Sequence, residues 1–158
     1  MKKLFFTLTI GLLLSTGASF ASSNKSMIGQ DLPPIPDSVH FLDKKPDLKD
    51  KSAIVEFWAT WCPPCRQSIP HLNRLYKKYK DKGLAVVGIT NEKENVVKDF
   101  LKTLPIHYDV GLDSKGSYSN LFQIEGIPHA VLVNQSGKIV WEGHPMQLKE
   151  SDIMKVLK

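Results

Sequence analysis

The strongest constraint on this chain is its pair of cysteines, because Cys62 and Cys65 are the only two in 158 residues. Two prolines, Pro63 and Pro64, separate them. A disulfide across so short a loop restricts the unfolded chain very little, so the pair is poorly suited to stabilising a fold. A dithiol at this spacing can close and reopen, which indicates thiol–disulfide exchange or metal binding.

Metal binding is the weaker interpretation of the pair. Zinc at a C-x-x-C pair needs two more thiolate or imidazole ligands. The chain has no third cysteine, and its five histidines show no paired spacing. The sequence therefore favours redox chemistry, with no metal and no other cofactor.

The N-terminus has the pattern of an export signal. Two lysines precede an apolar stretch at 4–14, and Ser19-Phe20-Ala21 is a small-x-small cleavage site. The apolar stretch is shorter than the roughly 20 residues of a spanning helix. We predict a signal peptide at 1–21, cleaved after Ala21, and a periplasmic protein. An uncleaved membrane anchor is the alternative.

The charge of the chain argues against nucleic acid as a partner. Of its 21 basic residues only two lie in the predicted signal, and the remaining lysines are scattered among 16 acids. This mild, dispersed positive charge is typical of a solvated surface rather than of a nucleic-acid interface.

The rest of the chain predicts one α/β domain. Residues 22–37, rich in Ser, Asn and Pro, form an extended leader, and the domain covers 38–158. Two buried strands, at 53–58 and 84–90, flank a helix at 63–80 that Gly83 ends. Such an order indicates a parallel pair joined by a right-handed crossover.

Further elements follow from local patterns. Asn91 and Glu94 have the spacing of a capping box, which would open a helix through Leu104. The other predicted elements are a short edge strand at 38–42, a short strand near 106–110, a short helix near 117–122, a hairpin at 130–141 around Gly137 and a closing helix at 148–157.

The two cysteines are expected to play different roles. Cys62 lies where the strand gives way to the helix, so free N–H groups and the helix dipole would stabilise its thiolate. We expect Cys62 to be the exposed nucleophile and Cys65, one turn deeper, to resolve the mixed disulfide.

Glu56 is the third candidate catalytic residue. An acid within the apolar run 53–58 is costly unless it has a partner or a purpose. Burial would raise its pKa and let it shuttle a proton for Cys65. It could instead reach solvent or pair with a lysine, but the neighbouring strand at 84–90 has no basic residue, which favours the proton role.

These motifs together resemble the thioredoxin superfamily, and in particular its TlpA/ResA-like periplasmic thiol–disulfide oxidoreductases. The resemblance lies in the Trp61–Cys65 motif, Pro70 within the helix, Ile127-Pro128 and the hairpin with Gly137. It implies a thioredoxin-like α/β fold with a central mixed sheet flanked by helices. An N-terminal extension and an insert at 91–115, between the βαβ and ββα halves, would complete it.

The resemblance also implies a substrate-binding surface. Pro128 would be cis and lie against the dithiol, and Ile127 would offer its backbone to a partner peptide as an added strand. Trp61 would wall the docking groove beside Pro63 and Pro64. ResA-like proteins carry a glutamate on the helix where this chain has Ser68, so the proton role would fall to Glu56.

The implied protein is a reductase of specific partner disulfides, to which an inner-membrane donor supplies electrons. Family members of this type serve cytochrome c or copper-site assembly. A disulfide oxidant or isomerase is the alternative enzyme, because direction depends on the reduction potential. Ile127, rather than Thr or Val, favours reduction.

A hypothesis from another class is a thioredoxin-fold copper metallochaperone. Its ligands would be the two cysteines with His129 or His144, since Cu(I) favours thiolates. Proteins of that kind generally have three residues between the cysteines, and this chain has two. A peroxidase is less favoured, because it needs no C-x-x-C.

Overall fold

The structure is a computed structural model that describes residues 26–157. The predicted signal peptide and the first leader residues lie outside this range. The strands are β1 (His40–Phe41), β2 (Ser52–Phe57), β3 (Leu84–Thr90), β4 (Asp109–Leu112), β5 (His129–Val133) and β6 (Ile139–Gly143). The helices are α1 (Pro63–Tyr79), α2 (Glu94–Leu101) and α3 (Glu150–Val156), with 3₁₀ turns at Lys80–Lys82, Ser119–Phe122 and Pro145–Gln147.

One mixed sheet in the order β1-β4-β3-β2-β5-β6 forms the centre of the domain. β2, β3 and β4 run parallel to one another, and the other pairs are antiparallel. The predicted parallel β2–α1–β3 unit, the C-terminal hairpin and the mixed thioredoxin-like sheet are confirmed. The predicted insert supplies α2 and β4.

Helix α1 forms as predicted because the residues at its start, along its apolar face and after its end are all typical of a helix. Pro63 occupies the first turn, where its missing N–H costs nothing. Ile69, Leu72 and Leu75 bury one face against the sheet. The 3₁₀ turn that follows ends at Gly83, whose φ of 93° suits glycine.

The capping box predicted at Asn91 and Glu94 is wrong. Helix α2 begins at Glu94, and its N-cap is Lys93 in an extended conformation. The start moves downstream because the Glu92 carboxylate is engaged with Thr60, which holds residues 90–92 against the loop after β2.

Other boundaries also differ from the prediction, and α2 ends at Leu101 rather than Leu104. β4 begins at Asp109, later than predicted; it pairs with β3 from Asp109 onward and with β1 at Gly111 and Leu112. The short helix is a 3₁₀ turn, Ser119–Phe122, stopped by Gln123 at φ 50°. The closing helix begins at Glu150 because the preceding turn, Pro145–Gln147, leads into an extended, buried Leu148.

The leader packs on the sheet edge next to the hairpin. Gly29 N–H donates to Ile139 O at 2.7 Å, and Ile139 N–H donates back to Gln30 O at 2.9 Å. Leu32 and Ile35 pack against the core on the face of the sheet away from α1. Residues 26–37 therefore cover an edge strand that would otherwise expose unpaired backbone groups.

The opposite face of the sheet is covered by α1. Ile54, Val86 and Leu132 pack there against α1 and α3, while Trp58 and both cysteines form a further cluster with α2. Within residues 26–157 no helix has the length and apolar character needed to cross a membrane.

Candidate active site

The dithiol lies at the start of α1, as predicted. Cys62 and Cys65 form a disulfide with an S–S distance of 2.05 Å. Cys62 is the N-cap residue, and the Cys65 N–H donates to its Sγ at 3.2 Å. Because Pro63 and Pro64 have no N–H, Cys65 supplies the first N–H of the helix, and it is directed at the sulfur of Cys62. A thiolate at Cys62 would receive the same hydrogen bond.

The expected exposure of Cys62 is wrong for the disulfide state. Its residue is only 2 % exposed, and Cys65 is fully buried. The disulfide folds the Cys62 sulfur back over the first helical turn, where Ile127 packs against the same cluster. Position along the chain alone did not reveal this covering contact.

The segment before β5 lies against the dithiol. The Ile127-Pro128 peptide bond is cis, as the resemblance implied. The Ile127 carbonyl oxygen lies 3.7 Å from Cys62 Sγ. The register of β5 on β2, which pairs His129 with Phe57, brings this segment to the end of β2 where the dithiol begins.

Glu56 is fully buried in the middle of β2, as predicted. Strand alternation places it between Ile54, under α1, and Trp58, beside the cysteines. Its Oε1 accepts a hydrogen bond from the Tyr108 hydroxyl. Burial raises the pKa of Glu56 to about 7, and the Tyr108 hydrogen bond opposes that rise.

The second carboxyl oxygen of Glu56 accepts no hydrogen bond from the described residues. Across the described chain, neither Glu56 Oε2 nor the buried Trp58 Nε1 has a hydrogen-bond partner. Gly88 pairs with Glu56 in the sheet, and a Cβ there would lie 2.9 Å from Trp58 Nε1 and 3.2 Å from Tyr108 Cε2. Glycine at this position therefore makes the space in which the acid, the tyrosine and the tryptophan meet.

A groove of about 500 Å³ opens beside the dithiol. Trp61, which is 68 % exposed, and Ile127 are among its lining residues, as are Thr90, Asn91, Ser119 and Asn120. Of the five residues expected to bind substrate, the structure thus places Trp61 and Ile127 in this wall. Pro63 and Pro64 are exposed on α1 beside it, and Pro128 is half-buried.

Asp113, a residue that the sequence analysis missed, organises the far wall of the groove. It is buried and accepts hydrogen bonds from the backbone N–H groups of Tyr118 and Ser119 at 3.0 and 2.9 Å. The Ser117 and Ser119 hydroxyls also donate to it. An aspartate followed by serines at these spacings is a local signal that could have indicated such a loop.

The copper hypothesis lacks its ligand cluster. Among residues 26–157, no three His, Cys, Asp or Glu side chains are grouped so as to hold a metal ion. His144 Nδ1 instead accepts from the Met146 N–H at 3.2 Å. Burial lowers the pKa of His129. Ser68, at the position of the ResA-like glutamate, is buried and donates to Cys65 O at 2.8 Å.

Comparison with known proteins identifies the family. Residues 43–142 match the AhpC/TSA family. The chain belongs to this family. Within it, the chain is 33 % identical over 164 residues to the thiol–disulfide oxidoreductase ResA of Bacillus cereus, covering 95 % of this chain and 94 % of that relative. ResA of Bacillus subtilis is 32 % identical over 95 residues, which span 60 % of this chain and 53 % of its own length.

Solved structures of similar proteins have the same fold. A putative thiol:disulfide interchange protein DsbE from Chlorobium tepidum superposes with a TM-score of 0.72 at 29 % identity, covering 83 % of this chain and 98 % of its own. The thioredoxin domain of a Bacteroides vulgatus thiol–disulfide oxidoreductase gives 0.71 at 25 % identity, covering 85 % and 100 %. With the Cys62–Cys65 disulfide in place, these relatives identify the chain as a thiol–disulfide oxidoreductase.

Proposed function

We propose that this protein is an exported reductase of specific partner disulfides that works through a Cys62/Cys65 dithiol–disulfide cycle. The observation that carries the proposal is the disulfide at the start of α1, with the Cys65 N–H directed at Cys62 Sγ at 3.2 Å. That hydrogen bond favours the thiolate form of Cys62 and so makes it the better nucleophile and leaving group of the two.

The proposed cycle transfers two electrons from the dithiol to the partner. The Cys62 thiolate attacks one sulfur of the partner disulfide, forming a mixed disulfide while the other partner sulfur leaves as a thiolate and takes up a proton. Cys65 then loses its proton and attacks the Cys62 sulfur. This second step forms the Cys62–Cys65 disulfide and releases the partner's remaining cysteine as a thiol.

Glu56 is the proposed acceptor of the Cys65 proton. It lies on the face of β2 that α1 covers, and a pKa of about 7 suits a base that must both take and return a proton near neutral pH. Tyr108 holds Oε1, which leaves Oε2 for the transfer.

The groove beside Trp61 is the proposed docking surface for the partner. Its walls combine apolar contacts from Trp61 and Ile127 with the amides of Asn91 and Asn120. A partner segment would lie along Ile127-Pro128 as an added strand, with Pro63 and Pro64 presenting the dithiol beside it.

Export and the source of electrons belong to the same proposal. The predicted signal at 1–21 would place the protein in the periplasm, anchored only if the signal stays uncleaved. A membrane-bound dithiol donor would reduce the disulfide again. The resemblance to ResA-like proteins suggests partners in cytochrome c or copper-site assembly.

Trapping tests the proposed roles of the two cysteines. Cys62→Ser should abolish disulfide exchange, whereas Cys65→Ser should accumulate mixed disulfides with partners, which non-reducing electrophoresis and mass spectrometry would identify. Equal activity of the two variants would contradict the assignment.

A redox titration tests the direction of the proposed reaction. Equilibrating the wild-type protein with glutathione mixtures would give its reduction potential. A value near that of thioredoxin, about −270 mV, would support a reductase, and one near about −120 mV an oxidant.

A further inference from the structure

The turn that presents the dithiol is fastened to the neighbouring strand by a carboxylate. Residues 59–62 form the turn, closed by the Cys62 N–H donating to Ala59 O at 3.2 Å. Thr60, inside the turn, donates its N–H to Glu92 Oε2 at 2.6 Å and its hydroxyl to Glu92 Oε1 at 2.7 Å. Glu92 lies 32 residues away, just beyond the end of β3.

Glu92 is itself held by Thr90, the last residue of β3. The buried Thr90 donates its hydroxyl to Glu92 Oε2 at 3.2 Å, and the Glu92 N–H donates to the Thr90 hydroxyl at 3.4 Å. Thr60, Glu92 and Thr90 thus form one network, called here the Thr60 latch. A carboxylate that accepts two short hydrogen bonds from one residue holds that residue in distance and in orientation.

The latch acts on the residues that carry the chemistry. Thr60 is followed directly by Trp61, whose side chain is 68 % exposed in the groove wall, and then by Cys62. Thr90 and Asn91 line the same groove as Trp61. The network therefore joins the turn to a second segment of the groove lining.

We infer that Glu92 is a positioning residue, which holds the Thr60–Cys62 turn so that Trp61 and the Cys62 sulfur keep a fixed place relative to the groove and to Cys65. The inference rests on the proposed role of Cys62. Glu92 works through Thr60 and does not take part in electron or proton transfer itself.

Two consequences follow from preorganisation. A loosened turn lowers the effective concentration of one thiol at the other, so the internal disulfide becomes less favourable against glutathione. It also weakens docking at Trp61, so KM for a protein disulfide rises. A residue that only stabilised the fold would lower the melting temperature and leave both quantities unchanged.

The test compares five variants with the wild type. They are Glu92→Ala, Glu92→Asp, Thr60→Val, the double variant Thr60→Val/Glu92→Ala, and the control Glu94→Gln. Glu94 lies two residues further along, where its carboxylate pairs with Lys98 on the surface. The measurements are the equilibrium constant of the Cys62–Cys65 disulfide in glutathione buffers, kcat and KM for insulin reduction with dithiothreitol, and the melting temperature.

We expect Glu92→Ala to lower the disulfide equilibrium constant and kcat/KM about fivefold each, mainly through KM for insulin. Glu92→Asp keeps the charge but is shorter, and should match Glu92→Ala. The double variant should lose no more than about twofold beyond Glu92→Ala, since both changes break one network. Glu94→Gln should behave as the wild type.

Three results would overturn the inference. The first is a wild-type equilibrium constant and kcat/KM for Glu92→Ala at temperatures where it is folded. The second is a Glu92→Asp variant indistinguishable from the wild type, because the effect would then come from charge; the third is a double variant whose loss equals the product of the two single losses. Failure of the proposed function looks different, because it would appear in the cysteine variants and in the wild type itself, as equal activity of Cys62→Ser and Cys65→Ser or as a wild-type reduction potential in the range of an oxidant. The glutathione equilibrium still reports on the latch in that case, since it concerns the chain's own disulfide.

Discussion

The Tyr108 hydroxyl donates a hydrogen bond to Glu56 Oε1 from a position 52 residues further along the chain. Both side chains are buried; the Tyr108 ring lies over Gly88, and Glu56 is the residue that pairs with Gly88 in the sheet. Burial would keep the acid neutral, whereas the hydrogen bond favours its charged form. The two effects together place the pKa of Glu56 at about 7.

Replacing Glu56 should slow the resolving step. Because Gln cannot accept the Cys65 proton, Glu56→Gln should reduce the rate at which Cys65 releases a mixed disulfide by about 100-fold at pH 7. In the wild type, the rate of this step should rise with pH around pH 7, as Glu56 loses its proton; Glu56→Gln should not show this rise. Stopped-flow single-turnover rates between pH 5 and 9 measure this. An unchanged profile in a folded variant would contradict the proton role.

The same acid should make stability depend on pH. The folded-state pKa of about 7 lies above the ordinary value of 4.5, so the folded chain binds the proton more tightly than the unfolded chain. The free energy of unfolding should therefore fall as pH rises from about 4.5 to about 7, by on the order of 3 kcal/mol. Urea unfolding across this range should show the loss in the wild type and in Glu94→Gln, but not in Glu56→Gln.

Tyr108→Phe removes only the hydroxyl that opposes the rise in the Glu56 pKa. We expect the pKa of Glu56 to increase, so the pH–rate profile of the resolving step should move to higher pH. Stability should fall by about 1–3 kcal/mol, since a buried acceptor loses its donor. Tyr76→Phe is a suitable control, because Tyr76 contacts the Tyr108 ring from α1 without donating to Glu56. A profile that moves to lower pH would contradict this account.

Gly88→Ala should disturb this cluster by crowding. The added methyl would lie 2.9 Å from Trp58 Nε1, closer than side chains tolerate, and 3.2 Å from the Tyr108 ring. Because both rings are buried, we expect a loss of about 1–3 kcal/mol in the free energy of unfolding. The fluorescence intensity of Trp58 should also change. Gly126→Ala, at a glycine with open space around it, should cost far less.

Removing residues 26–37 should destabilise the domain. The deletion would unpair the backbone of Ile139 and strip Leu32 and Ile35 from the core. A loss of about 3 kcal/mol or more follows from the apolar area alone, and the exposed edge should promote association. Urea unfolding and light scattering would be compared with a chain that starts at Ser26. Equal stability would show that the leader contributes little.

Local patterns in the sequence predicted much of the site. The place of Cys62 at the start of α1, the burial of Glu56 and the cis bond at Pro128 were all expected and are found. The first two depend on short-range rules, namely the strand-to-helix boundary and an acid within an apolar run. The third came from the resemblance of Ile127-Pro128 to a known motif.

The contacts around these residues could not be predicted in the same way. No sequence pattern marks Tyr108 as the partner of Glu56, and the predicted capping box at Asn91 and Glu94 placed Glu92 in the first turn of a helix. Their roles follow from the register of β3 between β2 and β4. This register brings Tyr108 to Glu56, across 52 positions of the chain, and Glu92 to Thr60, across 32 positions.

The sequence by itself therefore determined the chemistry that the chain carries: a dithiol at a helix start, with an acid in the strand that leads to it. The tertiary structure decided how that chemistry is held. Cys62 is covered by Ile127, Glu56 is paired with Tyr108, and Thr60 is fastened to Glu92. Local propensity fixes where helices and strands form, but packing across a sheet depends on which distant segments it sets side by side.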